Sequence, residues 1–292
     1  MIAHVARSDE RRGRVVLRVA HRIDDASVDA AAFLASAYDA ELEALLVEDA
    51  RVYACTALSF VEEQTVAGTT RRRLEKSAAD IDFAVLRAQV RAALARAATT
   101  HAVTAHHHVT RDDPMRAISV ACARVGPWNI IALPEPASRA TYDDVAELME
   151  RVRDMTGVLL SPARPIAGGK TLVAVVDRAD DLAGAVRTAQ RLSAARTAQV
   201  VLMIAAATHE ATQQLEDEVR IALGSDRPGY EDIRIARPGT LHGEPDAILH
   251  ALAHLKPAFA ITRFGGPLTR DRSAFASLGR FLPCPLLIGR GA

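Results

Sequence analysis

The chain has no surplus charge of either sign, no CxxC pair, no long apolar run, and none of the short motifs that announce catalysis. Its 36 Lys and Arg balance 36 Asp and Glu, for a formal net charge of zero. That removes any overall electrostatic case for nucleic acid or an anionic membrane. The short basic runs Arg11-Arg12 and Arg71-Arg72-Arg73 read as solvated surface. No run approaches the roughly 18 apolar residues a membrane span needs. The opening MIAHVARSDERRGR lacks the apolar core of a signal peptide. The expectation is a soluble, cytoplasmic protein with neither nucleic acid nor membrane as partner. Cys55, Cys122 and Cys284 each lie among apolar neighbours, so they are expected to be buried reduced thiols, as a reducing cytoplasm allows.

The missing chemistry is specific. There is no G-x-S-x-G elbow for a nucleophile. Gly168-Gly169-Lys170 lacks both the earlier glycine and the following helix of a P-loop, and reads as linker. His106, His107 and His108 fall in a predicted strand, where neighbours point to opposite faces and cannot converge on one metal. His250 and His254 have the i, i+4 helical spacing that zinc sites use. They lack the HExxH glutamate and any evident third ligand, although His242 is near in sequence. Cys122 lies mid-helix with no histidine nearby in sequence and reads as a core thiol. Asp24-Asp25 and Asp180-Asp181 read as helix N-caps, not carboxylate pairs.

What is present is ordinary globular composition, 49% hydrophobic and 25% charged over 292 residues, enough for a sizeable core and about two domains. Apolar runs at residues 14–20, 42–47, 102–109, 128–133 and 158–160 read as strands. Between them, 24–38, 74–98, 113–124 and 141–155 read as helices, the last capped by Thr141 and ended by Gly157. Asp113-Pro114 opens its helix with an acid and a first-turn proline. Residues 162–169 (PARPIAGG) form the best linker. The pattern then restarts, with strands at 171–176, 199–205, 233–236, 259–261 and 286–288 and helices at 180–195, 209–223, 245–255 and 273–281; a turn lies near 226–229. Regular alternation predicts parallel sheets with helices on both faces, and strands such as VVLRVA and TLVAVV fit burial on both sides.

The halves also match in sequence. Arg14 pairs with Lys170 and Asp24-Asp25 with Asp180-Asp181, 156 positions apart. Ala117-Ile118 pairs with Ala247-Ile248 and Ile131 with Ile261, 130 positions apart. The difference, 156 − 130 = 26 residues, is extra length in the first half, and residues 50–73 are its natural place. There Leu58, Phe60 and Val61 make a partly amphipathic stretch, expected to cover the parent domain or to offer a partner surface. The domains expected are 1–164, with the insert, and 165–292.

These features resemble a two-domain universal stress protein. TLVAVVD, GEPDAILHALAHLKPAFAIT and LPCPLLI carry the closer likeness, while RVVLRVA, DDPMRAISVACARVGPWNIIAL and GVLLSPA carry a weaker one. The resemblance implies an α/β fold of two tandem doubly wound five-stranded parallel sheets, adenine nucleotide alpha hydrolase-like, packed as a pseudo-dimer. It implies a stress-response or regulatory role through a protein partner or small ligand, more as a non-enzyme than an enzyme, in a monomer with pseudo-dimeric halves or a homodimer. One branch of that family binds ATP through an aspartate after strand one and a loop G-x2-G-x9-G-[ST] after strand four, where glycines admit phosphate to backbone N–H groups.

The chain departs from that pattern. In the first half Pro134-Glu135-Pro136 follows strand four, and His21 stands in place of the aspartate. In the second half Asp177 is in place, and Gly265-Gly266 is followed by Pro267. Arg272 and Ser273 fall where the motif's last glycine and Ser/Thr belong. The preferred expectation is weak or absent ATP binding. The alternative is ATP or AMP as cofactor at Asp177, Gly265, Gly266 and Ser273, with Arg263, Arg270 and Arg272 as side-chain anion donors. A weak ATPase is the third reading.

Overall fold

A computed structural model describes residues 13–20, 22–64, 71–124, 128–162, 169–224, 233–238 and 243–290. The strands are β1 (Arg14–Val19), β2 (Glu41–Asp49), β3 (Glu62–Gln64), β4 (Arg71–Arg73), β5 (Ala105–Asp112), β6 (Asn129–Leu133), β7 (Met155–Leu160), β8 (Thr171–Val176), β9 (Gln199–Ile204), β10 (Arg234–Ala236), β11 (Phe259–Arg263) and β12 (Leu286–Gly289). The helices are α1 (Asp25–Ala37), α2 (Ala50–Thr56), α3 (Lys76–His101), α4 (Pro114–Arg124), α5 (Arg139–Arg151), α6 (Ala179–Arg196), α7 (His209–Gly224), α8 (Pro245–Leu255) and α9 (Arg272–Phe281). Arg11-Arg12, His21, His242, the 226–229 turn and linker residues 163–168 lie outside the described residues.

The ten main strands form one sheet in the order β10-β9-β8-β11-β12-β7-β6-β1-β2-β5. Each set of five runs in parallel, with its third strand outermost and its fifth innermost. The two sets join edge to edge through antiparallel β12 and β7, with Leu286 opposite Leu160 and Gly289 opposite Gly157. The two five-stranded sets predicted from the alternation thus share one sheet. Their innermost strands pair with each other, so neither presents a free edge at the joint.

Apolar strands bury both faces of the sheet, because helices cover both. One face packs Phe33, Leu34, Val90, Val186 and Val219 over the sheet, and the other packs Ile118, Val145, Leu148, Ile248 and Phe275. Asp24 caps α1 by accepting from Ser27 N at 2.9 Å, and Asp113 opens α4 by accepting from Met115 N and Arg116 N.

Four local expectations are corrected. Ser138, not Thr141, caps α5: its extended backbone places Oγ 3.0 Å from Thr141 N, and Thr141's own hydroxyl donates to Pro136 O. That helix ends at Arg151, so Met155 and Gly157 belong to β7, where buried Asn129 donates to Asp154 O. Helix α6 has no side-chain cap: Asp180 and Asp181 lie in its first turn, and Asp181 turns to Arg263 instead. Cys55 lies on α2 and is only half-buried, whereas Cys122 and Cys284 are buried, with their thiol pKa values pushed up by desolvation, that of Cys122 to about 12.

The insert holds α2 and the β3–β4 hairpin. Tyr53 anchors it, donating to Asp80 Oδ1 at 2.9 Å while Arg111 lies 3.7 Å over its ring. Phe60 is 79% exposed, so the amphipathic stretch does not bury all its apolar residues on the parent domain.

Glu43 is a charged residue inside β2, buried against Arg14 Nη1 at 2.5 Å and His106 Nε2 at 3.6 Å. Burial pushes its carboxyl up, but hydrogen bonding to His106 and the Arg14 charge together outweigh burial and hold it below the ordinary carboxylate range. A depressed folded value contributes stability above the unfolded value near 4.5, and that stability is lost as pH falls through the folded one. Glu43→Gln is therefore expected to cost about 1–2 kcal/mol at neutral pH. The gap to the parent narrows below about pH 4.5. Urea denaturation at neutral and acid pH checks both limbs; a gap independent of pH would refute the linkage.

Candidate functional site

In a doubly wound sheet, ligands sit beyond the carboxyl ends of the strands where the strand order reverses. In the second half that point lies between β8 and β11, which pair with Ile261 opposite Ala174. Two residues further on, Arg263 ends β11 next to Asp177, the residue after β8.

Arg263 spans the crevice. Its Nε donates to Asp177 Oδ1 at 2.8 Å and its Nη2 to Asp177 Oδ2 at 2.5 Å, a two-pronged contact matched to the planar guanidinium. Asp181, in the first turn of α6, adds a carboxylate 3.0 Å from Nε. All three side chains are at most 15% exposed. Hydrogen bonding to Asp177 holds the guanidinium pKa above its ordinary value against the opposing effect of burial.

The following loop folds down on this cluster. Gly265 takes φ +75°, a left-handed turn that suits glycine. Gly266 lies directly against the pair: a Cβ there would stand 3.2 Å from Arg263 Cγ and 3.6 Å from Asp177 Oδ1. Fully buried Thr269 closes the turn by donating its hydroxyl to Arg263 O at 2.8 Å. Asp271 then caps α9, accepting from Ser273 N at 2.8 Å and Ala274 N at 2.9 Å.

The fold therefore brings Asp177, Gly265 and Gly266 together. Ser273 lies at the exposed start of α9, with its amide already engaged by Asp271. The three arginines named from the sequence are all held by carboxylates: Arg263 as above, Arg270 by Glu244 at 3.6 Å and Asp271 at 3.4 Å, and Arg272 by Asp143 at 2.8 Å. Sequence reading missed Asp181 and Asp271. Both had a signal: Asp181 lies in the first turn of the helix that follows Asp177, and Asp271 precedes a helix as a capping acid does.

The first half closes its own crevice differently. Arg18, inside β1 and 8% exposed, reaches Glu135 at 3.0 Å and Asp144 at 3.1 Å. Glu135, between two prolines, thus meets a cation supplied by strand one, whereas in the second half the cation comes from the end of the fourth strand.

Among the described residues no cluster of three or more His, Cys, Asp or Glu forms a metal site. His106, His107 and His108 all lie on β5. The rings of His250 and His254 stack edge to face at 4.5 Å. No described helix is long and apolar enough to cross a membrane.

No protein-family model matches the chain, and no curated protein matches it. Solved structures do. A universal stress protein from Archaeoglobus fulgidus is 13% identical, with a TM-score of 0.59 over 95% of this chain and 96% of its own. A functionally unknown protein from Pseudomonas aeruginosa PAO1 is 16% identical, at 0.54 over 96% and 93%. The cytoplasmic domain of a prokaryotic cation chloride cotransporter is 13% identical, at 0.52 over 96% and 95%. At these identities the likeness is one of fold, and the fold of this chain is the one that universal stress proteins share.

Proposed function

We propose that this chain is a non-enzymatic regulatory protein of universal-stress type, acting through a partner or small ligand and not through bound or hydrolysed ATP. The supporting observation is the closed Arg263–Asp177–Asp181 cluster. A polyphosphate needs free donors and cations. Here Arg263, Arg270 and Arg272 are each paired with a carboxylate, and Asp271 takes the N–H groups of Ser273 and Ala274 in the first turn of α9. An entering phosphate would meet Asp177, Asp181 and Asp271 and would have to separate them from their partners. The two halves, divided near 164/165, satisfy each other's fifth strand, which favours a monomer with pseudo-dimeric halves over a homodimer.

A second reading places ATP or AMP at Asp177, Gly265, Gly266 and Ser273. It is favoured by the juxtaposition of Asp177 with a positive-φ glycine turn leading into α9. Calorimetric titration of ATP and AMP separates the two. The first reading expects flat heats to about millimolar nucleotide, weaker than about −4 kcal/mol of binding. Saturable binding lost in Asp177→Ala would overturn it in favour of the second, and steady phosphate release would establish the third, an ATPase.

A further inference from the structure

A cleft of about 340 Å³ opens at the joint of the two halves. Its walls are Tyr38 at the end of α1 and Trp128 just before β6, with Thr188 and Arg191 from α6; Gly157 and Leu287, from the paired fifth strands, lie in its floor. The absence of a side chain on Gly157 is enforced, since a Cβ there would stand 2.8 Å from Ile288 O. The aromatic wall is held in place: Tyr38 and Trp128 meet at 5.4 Å and 57°, and the Tyr38 hydroxyl is hydrogen-bonded to Thr188, its pKa raised by burial.

The charge is one-sided. Arg191 places its guanidinium 4.8 Å from the Tyr38 ring centroid, and its Nε donates to Ala37 O at 3.2 Å. Among the described residues no carboxylate stands within ion-pair distance of it, whereas Arg263, Arg270 and Arg272 each have one. A cation with free Nη donors, on the lip of a slot with aromatic walls and an apolar floor, complements a ligand that is flat, apolar and anionic at one end.

We propose that this inter-half cleft binds a small flat aromatic carboxylate, with its ring between Trp128 and the floor of the fifth strands and its carboxylate on Arg191. Ring burial supplies the contact area and the guanidinium selects the charge. The ligand would touch both halves at once, so occupancy would report on the joint between them.

Trp128 is the only tryptophan of the chain, so its single indole N–H resonance reports the site directly. The test titrates the full chain with naphthalene-2-carboxylate and, as a neutral isostere, naphthalene-2-carboxamide, followed by that resonance and by calorimetry. The expected result is a saturating shift with the carboxylate. The carboxamide should bind at least about tenfold more weakly, and Arg191→Gln should lose about tenfold or more for the carboxylate alone, as one charge-assisted contact predicts. Arg191 is exposed, so the variant should melt with the parent. Failure of the indole resonance to move, equal affinity for the two probes, or full carboxylate affinity in Arg191→Gln would each overturn the proposal.

Discussion

Arg263→Ala is expected to lower folding stability by about 2–3 kcal/mol, whereas Asp177→Ala should cost only about half as much. The asymmetry follows from the geometry. Arg263 is the single cation between two carboxylates, so its removal leaves Asp177 and Asp181 facing each other with most of their surface withdrawn from water. Removal of Asp177 leaves Arg263 with Asp181. The cost falls below the range of about 3–5 kcal/mol for a broken buried pair because the cluster sits at strand ends and retains some solvent. Arg263 Nη1 also donates to Phe264 O at 3.3 Å, so the loop loses that contact with the side chain gone. Chemical denaturation of both single variants and the double variant gives the coupling directly. An Arg263→Ala stability within about 0.5 kcal/mol of the parent would show that the cluster does not hold the crevice shut.

The same cluster shows what was legible in the sequence. Strand after strand was readable because a parallel sheet buried on both faces leaves uninterrupted apolar runs, as in TLVAVV of β8. The single sheet was less readable: Leu159 and Leu287 are apolar whether they face a helix or pair across the joint, and nothing in their sequence marks β7 as antiparallel to β12. The α5 boundaries slipped by a few residues because both Ser138 and Thr141 are capping residue types and the choice lies in a backbone angle. At the crevice, Asp177, Gly265 and Gly266 were found from their order along the chain, but the closing of the site was not. Whether Arg263 offers its guanidinium to a ligand or spends it on Asp177 depends on a distance of under 3 Å across 86 residues. The Arg191 cleft had no motif, since its lining comes from six separate elements.

Two glycines in neighbouring contexts should respond to substitution with opposite signs. Alanine is favoured over glycine within a helix by about 1 kcal/mol, so each mid-helix glycine calls for a reason. Gly184 in α6 has none nearby: a Cβ there meets nothing within 4 Å, and Gly184→Ala should stabilise by about 0.5–1 kcal/mol. Gly279 in α9 is different. A Cβ there would stand 2.0 Å from Ala137 O and 3.1 Å from Ala137 C. Those are backbone atoms, so no rotamer change relieves the clash, and either α9 or the segment leading into α5 must move. That segment is held by the Ser138 cap, while Tyr142 packs edge-on against Phe275 at 5.1 Å and Arg272 pairs with Asp143. The first half and the second thus meet here as well as in the sheet. Gly279→Ala should destabilise by about 1–2 kcal/mol despite its better propensity, and Gly279→Leu by about 3 kcal/mol or more as the whole α5–α9 contact is pushed apart. Urea denaturation of the three variants together is decisive, because propensity alone would make both alanine substitutions stabilising, and only a true backbone contact between the halves reverses the sign at Gly279.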